Sequence, residues 1–188
     1  MDFAALKRKI EAAAREAFTE MVRLHKDEGI YAFALYSDEG AMTVCPSTNT
    51  LPHLAEQDEG DGDLYFKFTP AEWKYEMQGA DAAFDEISTL AREYVLSIGE
   101  EEEGNNDEIE DNREFTAFQH GLYEACIEVL EKLKQEGFFR KALGQDVFLT
   151  FEVSDHDMEE DRIRKIITRL NDGRYRDEYL AWMKTWDA

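Results

Sequence analysis

The sequence predicts an α+β domain: a small, mostly antiparallel sheet (a hairpin plus one or two further strands) packed with about five or six helices. Three observations predict it. Long stretches near the start, middle and end carry apolar residues at three- and four-residue steps, the period of a helix with one buried face. Two short β-rich runs flank a Gly-containing turn near residue 40, the pattern of a hairpin. A third apolar run, residues 147–153, stands between helical stretches. The 188 residues suit one domain, and 43% apolar with 12% aromatic residues supply a core. No boundary splits residues 1–188, which carry acidic loops at 56–63 and 100–111.

In chain order, Phe3, Leu6, Ile10, Ala14, Ala17, Phe18, Met21 and Leu24 form one apolar stripe, so the first helix covers them and Gly29 is its stop. In residues 30–36, Tyr31, Phe33 and Leu35 fall on one face of a strand and alanines on the other. The turn 37–40 leads to the second hairpin strand, 41–45, before Pro46. Residues 64–68 suit a third strand that runs into a helix start, where Thr69 can cap, Pro70 fits the first turn and Glu72 completes a capping box. Helices follow over roughly 80–98, with Phe84, Ile87, Ala91, Tyr94 and Ile98 on one face, and roughly 107–136, with Phe115, Phe118, Leu122, Cys126, Val129 and Leu133. After strand 147–153, a helix beginning at 154–157 presents Ile163, Ile166, Ile167 and Leu170, and ends at Asn171-Asp172-Gly173. The last helix carries Tyr175, Tyr179, Trp182 and Trp186.

Charge narrows the function classes. Asp plus Glu number 43 and Lys plus Arg 21, a net charge of −22. Residues 1–26 contribute +2, residues 27–114 contribute −20 and residues 115–188 contribute −4. So acidic a chain repels phosphates, which argues against nucleic acid and against an anionic membrane as partners. The longest apolar run, 30–36, falls far short of the ~20 residues of a membrane span. The N-terminus lacks the apolar core of a signal peptide, and two cysteines suit two free thiols; a cytoplasmic location is expected.

Few constellations carry chemistry. Cys45, at a strand end beside Pro46 and a loop with His53, has the setting of a nucleophilic thiol, but also that of a half-buried thiol closing a hairpin. Cys126 lies within a helical stripe and reads as core. Glu72 and Glu76 stand one turn apart on the expected helix, where one could act as a general acid beside Tyr75; capping already accounts for Glu72. The four histidines match no metal spacing, and Asp155-His156-Asp157 suits a helix start better than a ligand set. The loop at 58–63 fails as a calcium site: counting from Glu59, position 6 is Leu64 and position 12 is Pro70. No phosphate loop, dinucleotide fingerprint, serine elbow or zinc spacing occurs, so no cofactor is expected.

The stretches Ala34-Leu35-Tyr36-Ser37-Asp38, Met42 to Thr50, Tyr65 to Glu76, and Phe151-Glu152-Val153-Ser154-Asp155 together resemble an uncharacterised bacterial family, domain-of-unknown-function family four-three-zero-three. The Cys45-Pro46 and Pro70-Ala71-Glu72-Trp73 pieces are its more specific parts. The resemblance implies a whole-chain domain of this length and supplies no activity, cofactor or catalytic residue. By looser analogy, small acidic bacterial proteins of this sort serve as immunity proteins of toxins.

Three functions stand open. The first is a non-enzymatic protein-binding domain, such as an immunity-type inhibitor of a basic toxin, with Asp58, Asp61, Glu101, Glu102 and Glu103 as candidate contacts. The second is an enzyme of unknown reaction with a site built near Cys45, His53, Glu72 and Tyr75. The third is an oligomer-forming domain that meets its copies through Trp182 and Trp186.

Overall fold

The computed structural model describes residues 1–57, 64–102, 113–154 and 158–186. Helix α1, Phe3–His25, starts where the Asp2 carboxylate accepts the Ala5 N–H at 3.0 Å. Its apolar stripe is buried from Leu6 to Met21, with Ile10, Ala14, Ala17 and Phe18 sealed, whereas Leu24, expected on the same face, is 51% exposed. A 3-10 turn, Lys26–Glu28, follows, and Gly29 at φ 64 reverses the chain in the left-handed region that glycine enters without strain.

Strands β1, Ile30–Asp38, and β2, Cys45–Thr50, pair antiparallel, with Phe33 opposite Thr48 and Tyr36 opposite Cys45. The hairpin is therefore present, but its second strand begins where the sequence pattern ends it. Side-chain capture in the turn is the reason. Asp38 accepts the Met42 N–H and the Thr43 hydroxyl, and Ser37 Oγ donates to the Thr43 carbonyl at 2.6 Å, so residues 41–44 are spent on the loop. An irregularity between Ile30 and Ala32 also turns Tyr31 onto the alanine side of β1 instead of the Phe33 side.

Helices α2, Leu51–Gln57, and α3, Leu64–Phe68, come next. The third strand expected at 64–68 is thus a helix. In that form Leu64 and Phe68, four residues apart, share one face, and Phe68 packs on Phe148 at 4.8 Å between ring centroids. The helix expected after Thr69 is a single 3-10 turn, Pro70–Glu72. Thr69 makes no side-chain cap, and Glu72 instead accepts the Tyr65 hydroxyl at 3.3 Å. Trp73, 3% exposed, pulls the chain back to an extended path, and β3, Tyr75–Glu76, pairs with β2.

The remaining elements are α4, Asp81–Glu102; α5, Arg113–Gln135; α6, Phe138–Leu143; β4, Phe148–Ser154; α7, Glu160–Leu170; and α8, Gly173–Met183. The sheet order is β3-β2-β1-β4, and β4 runs parallel to β1 with Ala34 beside Thr150 and Tyr36 beside Glu152. The α+β class holds, but the sheet is mixed and not mostly antiparallel. Hairpin chemistry constrains only neighbouring strands; β4 returns after two long helices, and a long crossover is what parallel pairing needs. Among the described residues there are eight α-helices, the extra ones being the short α2, α3 and α6.

Two apolar layers enclose the sheet. Phe33, Leu35, Leu149 and Phe151 face α1, α4 and α5, while Ala32, Ala34 and Phe148 face α3, α7 and α8. The alanines lower the floor of the second layer. Ion pairs tie the helices outside: Arg169 of α7 reaches Glu124 and Glu131 of α5, and Glu11 of α1 pairs with Lys132 at 2.7 Å.

A polar clasp joins the end of α1 to β3. Glu28 accepts from Lys74 Nζ at 2.6 Å and the Tyr75 hydroxyl at 2.7 Å, and meets His25 Nδ1 at 2.9 Å. The Lys74 bond above all, then Tyr75 and His25, hold its carboxyl down to about 2 from an ordinary 4.5. A depressed acid stabilises the fold above its ordinary value and loses that contribution as pH falls from about 4.5 toward 2. Glu28→Gln is expected to cost about 1 kcal/mol at pH 7, the size of a solvent-facing charged network. In urea unfolding the difference from wild type closes on acidification across that window.

Among the described residues no helix is long and apolar enough to cross a membrane. Of the acidic candidates, Asp58, Asp61 and Glu103 lie outside the described residues. The segment expected as a loop at 100–111 is helical up to Glu102, so the backbone of Glu101 and Glu102 belongs to α4. Likewise Glu56, expected in the first loop, ends up in α2.

Candidate functional site

On the alanine side of the sheet a cleft of about 790 Å³ lies over the second half of β4. Its floor is Thr150, Glu152 and Ser154. One wall is Tyr65, Thr69 and Glu72 from α3 and the turn after it; the other is Glu160 and Ile163 of α7 with Tyr179, Trp182 and Trp186 at the C-terminal end. Lys67 of α3 pairs with Glu178 of α8, which fixes the separation of the walls. Tyr31 helps from below, since its hydroxyl donates to the Lys67 carbonyl at 3.0 Å and accepts from Asn49 Nδ2 at 3.0 Å.

The rings at the C-terminal end turn through right angles. Trp182 and Trp186 meet edge to face at 5.0 Å and 88°, and Tyr179 meets Trp182 at 5.3 Å and 87°. Trp186 is 38% exposed, so its ring reaches solvent at the mouth. Three carboxylates line the cleft, Glu72, Glu152 and Glu160, and among the described residues no Lys, Arg or His does.

Glu152 is the unusual member. It is the one charged residue of β4, and burial pushes its carboxyl up to about 8. Burial foremost, with the neighbouring Glu152 charge, also pushes the Tyr179 phenol up. The result is an acid beside aromatic walls that is mostly protonated at neutral pH and half ionised only near pH 8. Sequence reasoning placed residue 152 in a buried strand and stopped there; a lone carboxylate in the run Phe148-Leu149-Thr150-Phe151-Glu152-Val153 was the available signal.

The four residues singled out from sequence do not converge. Cys45 lines a separate cavity of about 160 Å³ with Phe84, Ser88 and Arg92, and burial pushes its thiol up to about 11, away from the thiolate. His53 and Glu72 are neighbours, but His53 Nε2 meets the Glu72 backbone oxygen at 3.3 Å and not its carboxylate. Tyr75 is committed to the Glu28 clasp and stacks on His25 at 4.1 Å. Only Glu72 belongs to the aromatic cleft. Cys126 is sealed in the core, where burial raises its thiol further.

Two other features carry less chemistry. A groove of about 310 Å³ beside α6 is lined by charges that pair with one another: Lys134 with Asp172 at 2.9 Å, and Arg140 with both oxygens of Asp146 at 2.6 Å. No group of three His, Cys, Asp or Glu side chains among the described residues is arranged to hold a metal ion, and Asp155-His156-Asp157 lies outside those residues.

No curated protein and no solved structure matches the chain. One family does, over residues 10–172, a span from the first helix through Asp172 that takes in the whole sheet and both walls of the cleft as far as α7. By that match the chain belongs to the family described as Domain of unknown function (DUF4303).

Proposed function

We propose that the protein is a non-enzymatic binding protein whose partner is basic, and that the cleft over β4 is part of its contact surface. The observation that carries this is the lining: three carboxylates and five aromatic residues with no base among the described residues. Aromatic rings supply contact area at small entropic cost, and an unbalanced acidic rim favours a cationic partner. The net charge of −20 over residues 27–114 would accelerate that encounter. The narrower reading is an immunity-type inhibitor that neutralises a basic toxin in the bacterial cytoplasm. Two free cysteines, Cys45 and Cys126, both buried, support a reducing compartment.

The test is capture from the native cell on the immobilised full chain at low salt, then measurement with the purified captured protein. A basic protein is expected, with affinity falling about tenfold or more as salt rises from low to several times physiological strength. An acidic partner, or binding indifferent to salt, overturns the reading. For the narrower version, the captured protein arrests growth when produced alone and co-production of this chain restores it.

A second reading, an enzyme, draws on Glu152 alone. A carboxyl raised to about 8 stays protonated at neutral pH and would serve as a general acid on a substrate held between the rings. The thiol version of that reading is weakened by the position of Cys45 in a different cavity.

A further inference from the structure

Within the cleft the charges are not equivalent. Glu72 receives the Tyr65 hydroxyl at 3.3 Å, and Glu160 has Arg164 at 4.0 Å one helical turn on. Glu152 has neither a hydrogen bond nor an ion pair among the described residues, and it stands at the floor where Tyr179 and the two tryptophans close one end. Glu152 is partly buried on the cleft floor, and a carboxylate there with no protein partner is costlier to ionise than one in free solvent, a cost that an incoming cation offsets. Ring faces beside it add a second attraction for positive charge.

Building on the binding-protein reading above, we propose that the cleft is a receptor for one arginine side chain of the partner, its guanidinium lying against Trp182 and Trp186 and pairing with the Glu152 carboxylate. Arginine is favoured over lysine because the guanidinium is planar and weakly hydrated, so it stacks on rings and enters an apolar-walled site at less desolvation cost than an ammonium. Its two parallel N–H donors also match a single carboxylate, and Glu152 offers both oxygens.

The proposal has a pH signature. The raised carboxyl of Glu152 must lose its proton for the pair to form, whereas a guanidinium stays charged throughout. Affinity therefore rises as pH passes upward through about 8. The groups that line the cleft with it are the carboxylates of Glu72 on the 3-10 turn and Glu160 on α7, and the phenols of Tyr65 on α3 and Tyr179 on α8. Tyr36, beside Glu152 in register on β1, directs its hydroxyl to Glu76 at 2.8 Å.

The experiment titrates the full chain with Nα-acetyl-arginine amide, read by tryptophan fluorescence and calorimetry, with the lysine and citrulline analogues in parallel. The arginine compound is expected to saturate, the lysine compound to bind about fivefold or more weakly, and the neutral citrulline compound not to bind. Between pH 7 and pH 9 the arginine affinity rises about tenfold, the change in ionised fraction of an acid with a pKa near 8. Glu152→Gln loses about tenfold or more at pH 9 and shows no pH dependence. Trp186→Ala, at an exposed ring, keeps its far-UV spectrum and melting temperature and still loses several-fold in affinity. Equal binding of citrulline or lysine, or a Glu152→Gln variant that binds like wild type, overturns the receptor. So does absence of any response at tens of millimolar. Each of those results leaves the salt-sensitive capture of a basic partner to stand or fall separately.

Discussion

Replacing Asn171 by leucine is expected to lower the unfolding free energy by about 3 kcal/mol, although the side chain is of similar size and the site is 3% exposed. Asn171 caps α7, yet its larger task lies in the sheet. Its Oδ1 accepts the Leu149 N–H at 2.9 Å, and its Nδ2 donates to the Leu149 carbonyl at 2.7 Å and to the Ile167 carbonyl at 3.2 Å. β4 is an outer strand, so the amide takes the place of the next strand for one residue. Leucine would leave the Leu149 N–H and carbonyl short of the amide, while the Ile167 carbonyl keeps the residue-171 backbone N–H at 3.0 Å; each orphaned group costs about 1–3 kcal/mol before relaxation. In a chain of this length that corresponds to a fall of roughly 6–12 °C in melting temperature. Hydrogen exchange at the Leu149 amide should accelerate in step. If Asn171→Leu unfolds within experimental error of wild type, the amide does not act as a surrogate strand.

Gly79→Ala is expected to cost about as much, about 3 kcal/mol, by a different route. Gly79 has φ +102, where side chains are strained, and a Cβ there would lie 3.1 Å from the Ala17 Cα and 3.2 Å from the Ala17 carbonyl oxygen. Those are backbone atoms of α1, a 23-residue helix locked against α4 and α5, so the contact cannot be relieved by rotating a side chain. The segment is already tense, with Met77 at φ 54 and Ala80 at φ 53. It is held by hydrogen bonds from the Gly79 N–H to Asp81 at 2.9 Å and from the Ala80 N–H to Glu20 at 3.0 Å. Alanine must push α1 away from the start of α4. Denaturant unfolding would register the loss; a change below about 1 kcal/mol would mean that the loop yields and α1 does not.

The helices α1, α4 and α5 were legible because a 3.6-residue stripe of buried side chains is a local property, visible without any partner. The termini moved where side chains intervened: Asp38 captured the backbone that would have begun β2, and the burial of Trp73 cut the helix after Thr69 to one turn. Residues 64–68 misled for a related reason. A short apolar run satisfies strand and helix periods alike, and only the position of Phe148 and Tyr179 around Phe68 chose between them.

The candidate site was far less legible. Glu72, Glu152 and Trp182 lie up to a hundred and more residues apart in sequence, and nothing in their local spacing announces that they share a cleft. Cys45 and His53 drew attention by being near in sequence, whereas the structure gives them different surroundings. Trp182 and Trp186 were expected to meet further copies of the chain; the structure places them at the aromatic end of the cleft.

The sequence by itself determined the α+β class, the long amphipathic helices, the hairpin, and the concentration of negative charge in the middle of the chain. These follow from short-range periodicity, turn chemistry and composition. Only the tertiary structure decided that β4 lies parallel to β1, that Asn171 completes its outer edge, and that Glu152 shares a cleft with two tryptophans. Such features depend on which distant segments meet, and that outcome is set by the joint burial of every apolar face at once, which no local window contains.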